Sequence, residues 1–326
     1  MTLIDYIKYR KEKNQKFTLI IGSGFIKQFY PDCQFKPLHN WTELLNSISD
    51  YQITSDENNY PICFEKMIAN VSKSKTTAKA SEIENCLLWQ IAAKINELQK
   101  KAFKNKNISF LNLFNKAYIS DVIVLNFDLI IEQNLSSTLH IKKKAKSNDT
   151  GSVFNIDEIN FWHPHGAVDI KFNGDAVASQ NLVLGYRKYA NLLQIVEKYR
   201  TAFKQKEHNT NKSEILEAAN WFEAIIKRPV IILGASLKYD ELDLWLAFIN
   251  RSRNYIKGKN IKHQHPIFVL REKKIIDDKL CLSHPHLSPD EFWDIDTGCY
   301  TYSQGWDKIL QIFKTINKKP KNNAKC

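Results

Sequence analysis

Three short apolar runs, each ending in small or polar residues, constrain this chain more than any other feature. FTLII at 17–21 runs into Gly22-Ser23-Gly24, VIVL at 122–125 into Asn126-Phe127-Asp128, and PVIIL at 229–233 into Gly234-Ala235-Ser236. A fourth run, PIFVL at 266–270, has the same character. None alternates apolar with polar residues, so none can rest one face in water. Strands of this kind are buried on both faces, as in a parallel sheet covered by helices.

The intervening stretches carry apolar residues at three- and four-residue spacing, the period of a helix. The segment at 81–103 places Ile83, Leu87, Ile91, Ile95 and Leu98 in this way. Segments at about 189–203 and 213–226 read as a helical pair, joined by the polar KQKEHNTNK, which is expected to be exposed. SQGWDKILQIFKTI reads as a closing amphipathic helix. The expected fold is α/β, a Rossmann-like parallel sheet with helices on both faces. The expected organisation is a single domain over 1–326, with helical insertions at about 64–118 and 189–227 and a basic tail at about 318–326.

Composition narrows the class. With 326 residues, 43% hydrophobic and 12% aromatic, the chain can fill a large core and is not a disordered polymer. No apolar run reaches the length that crosses a bilayer, and MTLIDYIKYRKEKNQ lacks the apolar centre of a signal peptide, so a cytoplasmic protein is expected. Cys33, Cys63, Cys86, Cys281, Cys299 and Cys326 form no C-x-x-C pair. That argues against structural zinc and for reduced, mostly buried thiols. The net charge of +12 is concentrated in local lysine runs. It would attract a polyanion such as nucleic acid, but no nucleic-acid module accompanies it, and a solvated lysine-rich surface is the favoured reading.

In open parallel sheets, ligands bind beyond the carboxyl ends of the strands, where all three polar clusters lie. Gly22-Ser23-Gly24 suits a backbone that approaches phosphate, yet Lys27 stands where a dinucleotide fingerprint needs its third glycine, so a plain strand-to-helix turn is equally consistent. Gly234-Ala235-Ser236 leaves room for a ligand, with Ser236 able to donate to an oxygen and Asp240 placed to cap the following helix. Asn126 and Asp128 flank Phe127 and would share one side of an extended backbone. Burying such a group unpaired costs roughly 1–3 kcal/mol, so partners or a ligand are required. For Asp128 an Asx turn or a helix cap is the alternative. His163 and His165 in FWHPHG would be either exposed around a Pro164–Gly166 turn or, for His165, a proton acceptor. Two histidines without a third ligand nearby make a poor metal site, and none is expected.

Taken in order, IGSGF (21–25), LNFD (125–128), HPHG (163–166) and GASLKYDELDLW (234–245) resemble the sirtuin-like superfamily. NFDLIIE and the long last element are most similar to prokaryotic sirtuin-like proteins of phage defence. The resemblance implies NAD as substrate. Gly22, Ser23 and Gly24 would wrap its phosphates and Gly234 and Ser236 its adenosine side. Asn126 would orient a water, His165 would take a proton, and Asp128 would support the nicotinamide side, with His163 behind them. The four zinc cysteines of the family's deacetylases are absent after Gly166. The implied activity is therefore NAD hydrolysis to nicotinamide and ADP-ribose by an antiphage abortive-infection effector, alone as a homo-oligomer or in complex with another defence protein. A non-catalytic NAD or ADP-ribose sensor is the alternative, kept open by Val124 and Ile26 where sirtuins commonly have threonine and serine. An NAD-dependent deacylase is a weaker one. A serine hydrolase is set aside, because neither glycine turn contains G-x-S-x-G.

Overall fold

A computed structural model describes residues 3–12, 15–49, 53, 60–74, 78–105, 107–139, 144–148, 151–169, 181–209, 218–235, 241–257, 266–270, 292–294 and 302–317. Its strands are β1 (Phe17–Ile21), β2 (Ile119–Val124), β3 (Lys144–Asn148), β4 (Gly151–Ile156), β5 (Ile159–His163), β6 (Val230–Leu233), β7 (Ile267–Val269) and β8 (Phe292–Asp294). They form one sheet in the order β3-β4-β5-β2-β1-β6-β7-β8. From β5 to β8 all neighbours are parallel, and β4 and β3 add an antiparallel margin.

The unalternating strands are buried on both faces, as expected, and their side chains divide between two cores by the two-residue period of a strand. Leu19, Ile21, Val122, Val124, Ile231 and Leu233 face one core, which is closed by helices Leu3–Glu12, Ala80–Lys104, Ile130–Leu139 and Tyr302–Asn317. Ile20, Ile123, Val230 and Ile232 face the other, under helices Tyr186–Asn209, Trp221–Lys227 and Leu242–Lys257. The connection from β1 to β2 packs on the first face, and that from β5 to β6 on the second. The order therefore reverses around β1, which is where an open α/β sheet forms its crevice.

Some expectations require correction. The helix read at 189–203 runs as Tyr186–Asn209, so most of the KQKEHNTNK joint is helical. The helix read at 213–226 is Trp221–Lys227, started by Asn220, whose side chain accepts from the Glu223 amide at 2.9 Å. Residues 211–217 and the basic tail at 318–326 lie outside the described residues. The lysine run at 142–146 enters β3 from Lys144. Of the described cysteines, Cys63 is buried, but Cys33 and Cys86 are exposed.

The turns after β1 and β6 interlock. Gly24 donates its amide to the Gly234 carbonyl at 2.8 Å, and Gly234 has φ +72°. A Cβ on Gly22 would stand 2.6 Å from both the Ala235 Cα and the Gly234 oxygen. These are backbone atoms, so no side-chain rotation relieves the clash. Gly22→Ala is expected to cost about 1–3 kcal/mol through overpacking. Gly234→Ala should cost more, because it adds an unfavourable φ. Urea midpoints measure both, and a Gly22→Ala protein as stable as the parent would contradict the interlock.

Candidate active site

The carboxyl ends of β1, β2 and β6 open on a cleft with about 760 Å³ of free space, the solvent at its mouth included. Gly22, Ser23, Asn126, His165 and Gly234 all line it. A smaller cavity of about 350 Å³ adjoins it, shares Ser23, Asn40, Trp41, Leu125 and Asn126, and adds Asp128. Five of the expected site residues thus meet in one cleft and a sixth beside it. Gly24 lines neither cavity. Ser236 and the expected cap Asp240 lie outside the described residues.

The first turn differs in detail from a free phosphate loop. The amides of Gly22, Gly24 and Phe25 already donate to Leu233, Gly234 and Gly22 carbonyls at 3.1, 2.8 and 3.0 Å. What the turn offers a ligand is Ser23, which lines both cavities.

Beyond the end of β2, where the backbone bends at 126–127, Asn126 and Asp128 both line the smaller cavity, and a hydrogen bond from Asn126 lowers the Asp128 carboxyl slightly. Asp128 makes the Asx turn weighed above: its Oδ1 accepts from the Ile130 amide at 3.2 Å, just where helix Ile130–Leu139 starts. Burial drives its carboxyl up to about 6. The Ile130 amide opposes that shift and the Glu132 charge adds to it.

Both histidines are buried, at 1% exposure for His163 and 8% for His165, which rules out the exposed-turn reading. The turn itself is present, with the Gly166 amide on the His163 carbonyl at 3.0 Å. Each ring holds one carbonyl of the β2 exit and one carboxylate. His163 Nδ1 lies 3.1 Å from the Asn126 oxygen and its Nε2 lies 2.6 Å from Glu132 Oε1. His165 Nδ1 lies 3.3 Å from the Leu125 oxygen and its Nε2 lies 3.2 Å from Asp243 Oδ2. Burial disfavours charge on His165, but Asp243 outweighs it and the ring titrates above its ordinary value. Burial likewise pushes Asp243 up, and His165 and Tyr189 more than reverse this. Burial and the Asp243 charge raise the Tyr189 hydroxyl.

Sequence reasoning missed four contributors. Asp243 sits three residues beyond the expected cap and has the same chemistry, so composition could not separate them. Tyr189 lies inside a helix and carries no signal of its own. Glu132 closes the NFDLIIE segment, where a carboxylate at the end of an apolar stretch was a usable sign. Trp41 stacks on Tyr60 at 5.8 Å and meets Phe127 edge-on at 4.5 Å, walling the cleft. Its helix starts at Asn40, which accepts from the Glu43 amide at 2.8 Å. No group of three potential metal ligands occurs among the described residues.

Asp128 gives a test of the site's electrostatics. Its folded form holds a proton more tightly than an unfolded carboxyl, so its contribution to stability falls as pH rises from about 4 to 6. Asp128→Asn keeps the Asx acceptor and removes the buried charge. The variant should gain roughly 2–3 kcal/mol over the parent at pH 7.5, with the gain shrinking towards pH 4. Denaturation at both pH values measures this, and a pH-independent difference would contradict a buried, destabilised carboxylate.

Residues 120–289 match the family model described as SIR2-like domain, a little over half of the chain. The matched span includes Asn126, Asp128, both histidines, Gly234 and Asp243, and begins after the first glycine turn. No curated protein matches the chain.

Proposed function

Because the chain belongs to the SIR2-like domain family, whose domains use NAD, we propose that it hydrolyses NAD to nicotinamide and ADP-ribose. The observation that carries this reading is the meeting of Asn126 and His165 in one cleft with the two interlocked turns. The cleft and the adjoining cavity around Asp128 share Ser23 and Asn126, an arrangement that suits a dinucleotide with its nicotinamide at the Asp128 end.

Cleavage breaks the bond between the nicotinamide nitrogen and ribose C1′. The electron pair leaves with nicotinamide, and positive charge develops on the ribose. Asn126 orients a water towards C1′ by its side-chain amide. That water supplies the new C1′ hydroxyl, and its proton passes to His165 and then to solvent. A buried, preorganised site of this kind stabilises developing charge without reorganising. Ser23 holds the phosphates, and the glycines at 22 and 234 let the backbone close around them. Asp128, neutral or ionised near pH 6, bonds the carboxamide end. Trp41 and Tyr60 bound the cleft with aromatic faces that exclude water.

A second reading, a sensor that binds NAD or ADP-ribose without cleaving it, is favoured by one observation: both ring nitrogens of His165 are engaged here. The resemblance of NFDLIIE and GASLKYDELDLW to phage-defence proteins extends the first reading to an effector that depletes NAD in infected cells.

Purified protein incubated with NAD should release nicotinamide and ADP-ribose in equal amounts. Asn126→Ala and His165→Ala should each lower the rate by roughly 10²–10⁴-fold. Tight ADP-ribose binding without turnover would support the sensor instead. Neither turnover nor binding would overturn both readings.

A further inference from the structure

We propose that Asp243, held by Tyr189, is the positioning residue that commits the Nε2 proton of His165 and leaves Nδ1 to exchange a proton with the substrate. This rests on the NAD-cleaving reading of the same cleft.

Asp243 is fully buried at the start of helix Leu242–Lys257. Its carboxylate is fixed at two points. Oδ2 faces His165 Nε2 at 3.2 Å, and Oδ1 accepts from the Tyr189 hydroxyl at 2.8 Å. The same hydroxyl accepts from the Asp243 amide at 3.3 Å, so helix Tyr186–Asn209 braces the carboxylate through both its side chain and its backbone. An ionised carboxylate has no proton to donate. Nε2 must therefore carry the proton of this contact. The Leu125 carbonyl can likewise only accept, so at rest the ring is an imidazolium that donates from both nitrogens, and with Nε2 committed to Asp243 the hydrogen it gives up on becoming a base is the one on Nδ1.

Nδ1 points to the end of β2, where its 3.3 Å contact with the Leu125 oxygen is the longer of the two. Leu125 and Asn126 both line the cleft beside it. A hydroxyl or water brought to Asn126 can replace that carbonyl contact and give its proton to Nδ1. His163 makes the same pattern of contacts, but it lines neither cavity and its pair with Glu132 is wholly enclosed. Of the two rings, only His165 lines the cleft.

The groups facing His165 are Asp243 and Glu241 from one side and Tyr189 from helix Tyr186–Asn209. The raised titration of His165 agrees with this arrangement. A base must be neutral to act, so activity should rise with pH through a value above that of an ordinary histidine. Loss of Asp243 should move that limb to lower pH.

The test uses the full chain with Asp243→Asn, Tyr189→Phe and His165→Ala. Three quantities are read: nicotinamide release from pH 5.5 to 9, ADP-ribose affinity by calorimetry, and imidazole 15N spectra without ligand. The asparagine amide donates to Nε2 and forces the proton onto Nδ1. The rate should fall on the order of 10³–10⁴-fold, as expected when a base is held in the wrong tautomer. ADP-ribose affinity should hold within about threefold, because Asp243 does not touch the ligand. Tyr189→Phe should lose roughly tenfold and shift the acidic limb. It also keeps the proposal open to test if Asp243→Asn does not fold. An Asp243→Asn protein with the parent rate and pH limb would overturn the proposal, as would a Tyr189→Phe protein unchanged in both. If the parent releases no nicotinamide, the NAD-cleaving reading fails on its own. The spectra, taken above the pH at which the ring loses its proton, then decide the tautomer separately: Nε2–H in the parent and Nδ1–H in Asp243→Asn support the coupling, and identical spectra sink it.

Discussion

Leu125 and Asn126 leave the central strand with consecutive carbonyl oxygens, and each is met by an imidazole from the His163-Pro164-His165 element at the end of the neighbouring strand. The far nitrogen of each ring meets a carboxylate, Glu132 in one case and Asp243 in the other. Those carboxylates come from helices on opposite faces of the sheet, since Ile130–Leu139 packs in one core and Leu242–Lys257 in the other. Three residues thus tie the exit of β2 to both layers. Proline between the rings limits backbone freedom where they must diverge. A buried ion pair such as His165–Asp243 adds little net stability, but breaking one partner leaves an unpaired charge and costs several kcal/mol. The clamp specifies the geometry of the loop that carries Asn126 and Asp128.

The rest of the cleft is built around that fixed loop. The interlocked turns of β1 and β6 set its other wall, and the order reversal around β1 keeps helices from covering it. Charge is divided unevenly within it. The His165–Asp243 pair favours ionisation on both partners, whereas Asp128 is pushed towards its neutral form. Neighbouring titratable groups driven in opposite directions are a mark of acid–base sites.

Much of this was legible in the sequence, for identifiable reasons. Apolar runs without alternation can only be buried on both faces, so FTLII, VIVL and PVIIL gave the parallel sheet and the side on which ligands bind. Asn126 and Asp128 stood out because an amide and a carboxylate at the end of such a run demand partners. The β3–β5 margin was not legible, because a lysine-rich stretch and a short hairpin carry no strong period. The partners of the histidines were hidden differently. Asp243 and Tyr189 lie 78 and 24 positions from His165 in the sequence, and only the sheet order brings them together. Gly22 was read for phosphate contact, but its backbone neighbour Ala235 supplies a sufficient reason for glycine. Local pattern finds what a strand needs, while pairings between layers depend on tertiary geometry.

The most direct test of the account is a crystal structure of the protein with ADP-ribose. The ligand is expected between the Gly22–Ser23 and Gly234–Ala235 turns, its terminal ribose against Asn126 and His165 and the Asp128 cavity left for nicotinamide. ADP-ribose bound elsewhere, or a cleft empty at saturating concentration, would contradict the assignment of this cleft to NAD.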